Sequence, residues 1–184
     1  MDNGTGSYRR YLEGDERGFV EIVREYRDGL LLYIESIVGC FSAAEELTED
    51  VFVKLGISKP RFSERSSFKT WLYSIGRNLA LDWLRRQKKS DLVSIDECAE
   101  LADRQELEND YIRGEKNRAV RKALDALKPE FAQVLRLIYF EGFSCKETAK
   151  IMKKSVHAIE TLSYRARQAL KVELQKEGHN YEDI

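Results

Sequence analysis

At 184 residues the chain has room for one domain or two small ones. It is 42% hydrophobic and 34% charged, apolar enough to fold and more charged than a compact enzyme usually is, which favours extended, solvent-bridging helices. No stretch approaches the roughly 18 apolar residues of a membrane helix, and residues 1–10 lack the apolar run of a secretion signal, so the sequence predicts a cytoplasmic protein without a membrane span.

Helical signals dominate in chain order. Phe19, Ile22, Val23, Tyr26, Leu30 and Tyr33 recur at three- and four-residue steps and predict one buried stripe. Leu47, Val51, Phe52 and Leu55 predict a second, and Phe68, Leu72, Ile75, Leu79 and Trp83 a third, with a loop around Pro60 between them. Residues 88–112 lose aromatic density and turn acidic, as a tether would. A second helical group follows, with a break at Lys128-Pro129 and a stop at Gly142. Each group carries enough apolar residues for a small bundle. The expected fold is all-α, two small helical bundles joined by an acidic tether, with bounds at 1–90, 91–112 and 113–184.

The net charge of −1 conceals a segregation. Residues 61–90 hold 8 basic and 2 acidic side chains, residues 91–112 hold 1 and 8, and residues 143–176 hold 8 and 3. Two basic blocks flanking an acidic one suggest polyanion contacts at two places. Cys40, Cys98 and Cys145 are scattered and read as reduced thiols. With only two histidines and no CxxC pair, no metal site, cofactor site or catalytic set is expected.

The C-terminal block carries a helix-turn-helix pattern. Ser144 and Glu147 fit a capping box that starts a short helix ending near Met152. Lys153 falls at the tight turn, where a left-handed conformation costs about 1 kcal/mol. Ser155 suits the cap of a long helix whose inward face is Ile159, Leu162, Ala166 and Leu170. His157, Glu160, Thr161, Tyr164, Arg165 and Gln168 share the opposite face, and such a second helix enters the major groove.

The block from Ser67 to Arg86 differs in kind. Trp71, Asn78, Asp82 and Arg85 fall on one helical track, and Tyr73 and Arg77 on a further one. Rings, an amide and guanidinium groups on one helix can stack on unpaired bases and hold their phosphates. Trp71 taken by itself is better read as a core residue, because tryptophans are mostly buried.

These residues resemble bacterial sigma factors of the extracytoplasmic-function group. The run Ala44 to Leu55 is similar to region 2.2, the part that docks on core RNA polymerase. Phe68 to Arg86 is similar to regions 2.3 and 2.4, which melt and read the −10 promoter element. Glu141 to Ala149 and Tyr164 to Leu170 are similar to region 4, which reads the −35 element. The resemblance implies polymerase contacts from Glu45, Glu46, Leu47, Asp50, Val51 and Phe52. It implies −10 contacts from Lys69, Trp71, Tyr73, Arg77, Asn78, Asp82, Arg85 and Arg86, and −35 contacts from Lys146, His157, Glu160, Thr161, Tyr164, Arg165 and Arg167. Core RNA polymerase, promoter DNA and an anti-sigma factor are the implied partners, and the polymerase supplies the chemistry. The chain departs from the family pattern at Glu49, where glutamine is usual, at Lys153 in place of a turn glycine, and at Glu160 and Leu162 in place of basic residues. Two other classes stand beside this reading. A self-sufficient helix-turn-helix regulator would bind duplex DNA alone as a dimer, and a helical adaptor would bind a partner indifferently to salt, Arg77 or Arg165.

Overall fold

A computed structural model describes residues 4–89 and 115–176, with side chains from 120 onward in the second stretch. The acidic tether expected at 91–112 lies outside the described residues.

Four helices form the N-terminal group: α1 (Thr5–Leu12), α2 (Glu16–Val38), α3 (Phe41–Ser58) and α4 (Phe68–Lys89). Helix α1 carries no stripe long enough to announce itself. It is fixed from outside, because Tyr8 is buried and donates to the Pro60 carbonyl at 2.7 Å while Tyr11 donates to that of Gly56 at 2.8 Å. Asp15 caps α2 by accepting from the Arg17 amide at 3.1 Å. The α2 stripe buries Ile22, Tyr26, Leu30 and Tyr33 as expected, joined by Leu31, Ile34 and Ile37. Helix α3 turns Ala44, Leu47, Val51 and Leu55 inward. It ends at Lys59, which takes a left-handed turn ahead of Pro60. Burying such a stripe contributes about 1.5–3 kcal/mol per large side chain, more than any cap here.

The C-terminal group holds α5 (Glu115–Asp125), α6 (Pro129–Leu135), α7 (Cys145–Met152) and α8 (Val156–Lys176). Pro129 opens α6, where its missing N–H costs nothing. Helix α6 runs on through a π-helical segment, Arg136–Phe140, whose wider turn still buries Arg136 and Leu137. Gly142, at φ 70°, then reverses the chain into α7. The fold is all-helical over the described residues, with no strand among them.

The two groups share a surface. Helix α4 packs against α7, and α2 against α6, so a single apolar core runs from Tyr8 to Leu174. The cysteine reading needs a correction. Cys40 is disulfide-bonded while Cys145 is a free, half-buried thiol; spacing along the chain does not fix which thiols the fold brings together.

Candidate nucleic-acid interface

Helix α8 shows its expected outward face. His157, Glu160, Tyr164 and Arg165 are exposed, and Thr161 and Arg167 are half-buried. Tyr164 is 58% exposed with no ring neighbour among the described residues. His157 Nδ1 stands 4.0 Å from the Glu160 carboxylate, so the acid is partnered only when the imidazole is charged. The inward face is Ile159, Ser163, Ala166, Leu170 and Leu174, so Leu162 is half-buried and Ser163 takes the core position in its place.

The turn ahead of α8 follows the sequence closely. The Ser144 hydroxyl accepts from the Glu147 amide at 3.2 Å, and the Glu147 carboxylate accepts from the Ser144 amide at 3.0 Å. Lys153 adopts φ 54°, the left-handed conformation that a glycine would take without strain. Lys146 is exposed on α7 beside this turn.

Helix α4 divides into two parts. Towards its end, Asp82, Arg85 and Arg86 are exposed, and Arg85 pairs with Asp82 one turn back. Near its start the expected tracks are partly covered. Trp71 is half-buried, with ring centroids 5.5 Å from Tyr8, 5.2 Å from Phe62 and 5.6 Å from Phe68. It closes an aromatic cluster over α1, as the reading of this ring by itself as a core residue expects. Tyr73 is fully buried, its ring tilted against that of Tyr33 at 5.6 Å and edge-on to Phe143 at 5.0 Å. Arg77 lies half-buried beside the buried Tyr33 phenol, which burial raises above its ordinary pKa despite that cation.

A polar seam explains the cover. The Tyr73 hydroxyl donates to the Glu141 carboxylate. Lys69 Nζ donates to the Glu141 carbonyl at 2.6 Å and stands 3.0 Å from its carboxylate. Burial, then the Glu141 charge, raises the Tyr73 phenol, so it stays a donor at neutral pH. Ser67 and Thr70 donate to Glu147 at 3.2 and 3.3 Å. Burial pushes that carboxyl up, but the hydrogen bonds from Ser144, Ser67 and Thr70 outweigh it and hold the pKa below the ordinary value. Lys153 Nζ donates to Asn78 Oδ1 at 2.9 Å, so exposed Asn78 is also engaged.

On α3 the expected docking set splits. Leu47, Val51 and Phe52, expected to pack on a partner, are at most 7% exposed and belong to the core. Glu45 is half-buried and pairs with Arg27 at 3.3 Å. Glu46 and Asp50 do face outward, beside Glu49 and two apolar residues the sequence reading missed, Val53 (53% exposed) and Ile57 (80% exposed). Their signal was available: 46, 49, 50, 53 and 57 form a helical stripe opposite the buried one.

The chain matches two family models in order, Sigma-70 region 2 over residues 22–90 and Sigma-70 region 4 over residues 117–170. It is 30% identical over 175 residues to the RNA polymerase sigma-H factor of Pseudomonas aeruginosa, covering 90% of this chain and 91% of that one. The chain belongs to the sigma-70 family of bacterial RNA polymerase sigma factors. Its place within the extracytoplasmic-function group agrees with a 29% identity over 161 residues to the ECF RNA polymerase sigma factor SigX of Bacillus subtilis, covering 85% of this chain and 83% of that one. The fold is similar to the sigma factor RpoE solved with the anti-sigma factor NepR from Bartonella quintana, with a TM-score of 0.68, 23% identity and coverage of 85% and 96%. This sigma factor directs promoter-specific transcription initiation with RNA polymerase. No helix among its described residues is long and apolar enough to cross a membrane, and no group of potential metal ligands occurs among them.

Proposed function

We propose that residues 1–90 carry the polymerase-docking and −10 surfaces, that 91–112 connect, and that 113–184 carry the −35 reader. The observation that carries this reading is one chain with two separate DNA-suited faces, the basic end of α4 and the outward face of α8. Arg85, Arg86, Asn78 and Asp82 contact the −10 element as it opens, with guanidinium groups on phosphate and polar groups on displaced bases. Tyr164, Arg165 and Thr161 read the −35 major groove, and Glu160 suits a cytosine amine. The stripe Glu46, Glu49, Asp50, Val53 and Ile57 docks on a basic, partly apolar surface of core polymerase. The chain itself is non-catalytic; nucleotide addition stays with the polymerase, and both work in the cytoplasm. Similarity to a sigma factor solved with NepR supports an anti-sigma partner that covers these faces until a signal arrives.

The test is reconstitution with core polymerase on fragmented genomic DNA, followed by mapping of transcript starts. Starts should share two upstream elements and be absent with core alone. Replacing Arg85 and Arg86 together by alanine should leave core binding intact and reduce open-complex yield by tenfold or more, on the order of 1.4 kcal/mol or above. Random starts, or a double variant that opens promoters normally, would overturn the assignment.

A further inference from the structure

The basic block over residues 143–176 holds 3 acids beside its 8 lysines and arginines. Two of the acids are used inside the fold. Glu147 closes the capping box of α7, and Glu173 pairs with Lys176 at 2.8 Å. Glu160 has no such use. Its side chain is 58% exposed on α8, and the one ion-pair partner within reach among the described residues is the His157 imidazole at 4.0 Å, charged only when protonated. It also lies past the first turn of α8, where the helix dipole no longer gives an acid much stabilisation.

An acid at this place carries a cost. A helix seated in the major groove lies between two rows of phosphates, and a carboxylate shown to them weakens binding. That cost is offset where the carboxylate points past the phosphates to a base edge that donates to it. Glu160 is placed for that aim. It belongs to the N-terminal part of α8, the part of a recognition helix that reaches base edges. It also heads an exposed track continued by Tyr164 and Gln168 at four-residue steps. A carboxylate accepts hydrogen bonds and donates none. In the major groove guanine shows two acceptors, and thymine an acceptor beside a methyl group, so both repel it. Adenine offers its N6 amine but flanks it with the N7 acceptor, whereas cytosine offers its N4 amine with no acceptor of its own beside it.

We propose that Glu160 sets the sequence of the −35 element: it accepts from the N4 amine of a cytosine, so this sigma factor requires a C·G pair at one position there. The proposal rests on the reading of α8 as the −35 helix and names the base that the helix selects. Tyr164 follows one helical turn later, about 6 Å along the axis. Base pairs stack about 3.4 Å apart, so the exposed Tyr164 ring meets the groove about two pairs from the cytosine.

The test uses the holoenzyme. Core polymerase with the full chain is offered one promoter found by reconstitution, its −35 region randomised, and the members retained as open complexes are recovered and sequenced. At one position the wild type should favour cytosine over each other base on the same strand by about tenfold. Glu160→Ala should level that position and leave the other preferences in place. Glu160→Gln keeps the shape but adds a donor, and should move the same position towards adenine, because an amide matches adenine N6 and N7 together. Tyr164→Ala should alter a different position, about two pairs away. Competition for core polymerase checks that each variant is folded. A cytosine preference that survives Glu160→Ala overturns the assignment. So does a glutamine variant that still selects cytosine, or a wild type whose selective positions include no C·G pair. Failure of the −35 reading itself looks different: no randomised position would show any preference, and Arg165→Ala would leave open-complex yield unchanged.

Discussion

Tyr8 joins the first helix to the loop before α4 through one hydrogen bond and one buried ring, and its chemistry gives a pH signature. Deleting only the hydroxyl strands the Pro60 carbonyl, so Tyr8→Phe should lower stability at neutral pH by about 1 kcal/mol in urea titration. Burial, with a smaller push from Tyr11, raises the phenol from 10.0 to about 12. A raised folded pKa contributes stability that is whole below 10 and is lost as pH climbs through 12. Burial pushes Tyr33 and Tyr73 further in the same direction. Urea midpoints should therefore fall steadily above pH 10, and fall less steeply in Tyr8→Phe. A variant profile parallel to the wild type would mean that Tyr8 titrates as freely as in the unfolded chain. Single residues also mark where the sequence misleads. Periodicity fixes the angle between Tyr73 and the core stripe, but not that Phe143 and Glu141, some 70 residues away, come to cover it.

Helix α7, its turn and α8 were the most legible elements, because their signals are local. The capping box needs only Ser144 and Glu147, and the left-handed turn only the count of residues between two helices. The π-helical segment at 136–140 left no local mark, since it is dictated by what Arg136 and Leu137 must bury. Helix α1 was missed for a similar reason: eight residues held by bonds to Gly56 and Pro60 carry too short a pattern. At the turn the magnitudes decide a prediction. Left-handed backbone costs Lys153 about 1–2 kcal/mol, and glycine would relieve that. Glycine also costs about 0.5–1 kcal/mol in unfolded-state freedom and gives up the exposed Asn78 bond. Lys153→Gly should thus shift thermal stability by less than about 0.5 kcal/mol. Lys153→Val, whose branched Cβ tolerates the conformation worst, should cost about 1–2 kcal/mol more. Equal melting of the two variants would show that the turn is unstrained or relaxes.

At the scale of the whole molecule, the division into two helical groups was readable because composition changes sharply at the tether, and the closed arrangement was not, because nothing in a helical pattern encodes its docking partner. The same distinction runs through α3. Its pattern located a helix with one apolar and one acidic side, yet three of the expected docking residues, Leu47, Val51 and Phe52, lie in the core, because an amphipathic helix in a two-group protein has its apolar stripe inward. Two substitutions separate the sides. Leu47→Ala removes a side chain that is 3% exposed and should destabilise the fold by about 2–5 kcal/mol. Ile57→Ser alters one that is 80% exposed and should change fold stability by less than about 0.5 kcal/mol. For binding to core polymerase the order reverses. Burying Ile57 against a partner is worth about 1.5–3 kcal/mol, so Ile57→Ser should weaken the complex by roughly tenfold or more. The folded fraction of Leu47→Ala should bind almost normally. Equilibrium competition against labelled wild-type protein reads both, with urea titration giving the folded fraction. Should Ile57→Ser compete as well as the wild type, the docking surface lies elsewhere than on the outward stripe of α3, and the acidic residues beside it lose their assigned role.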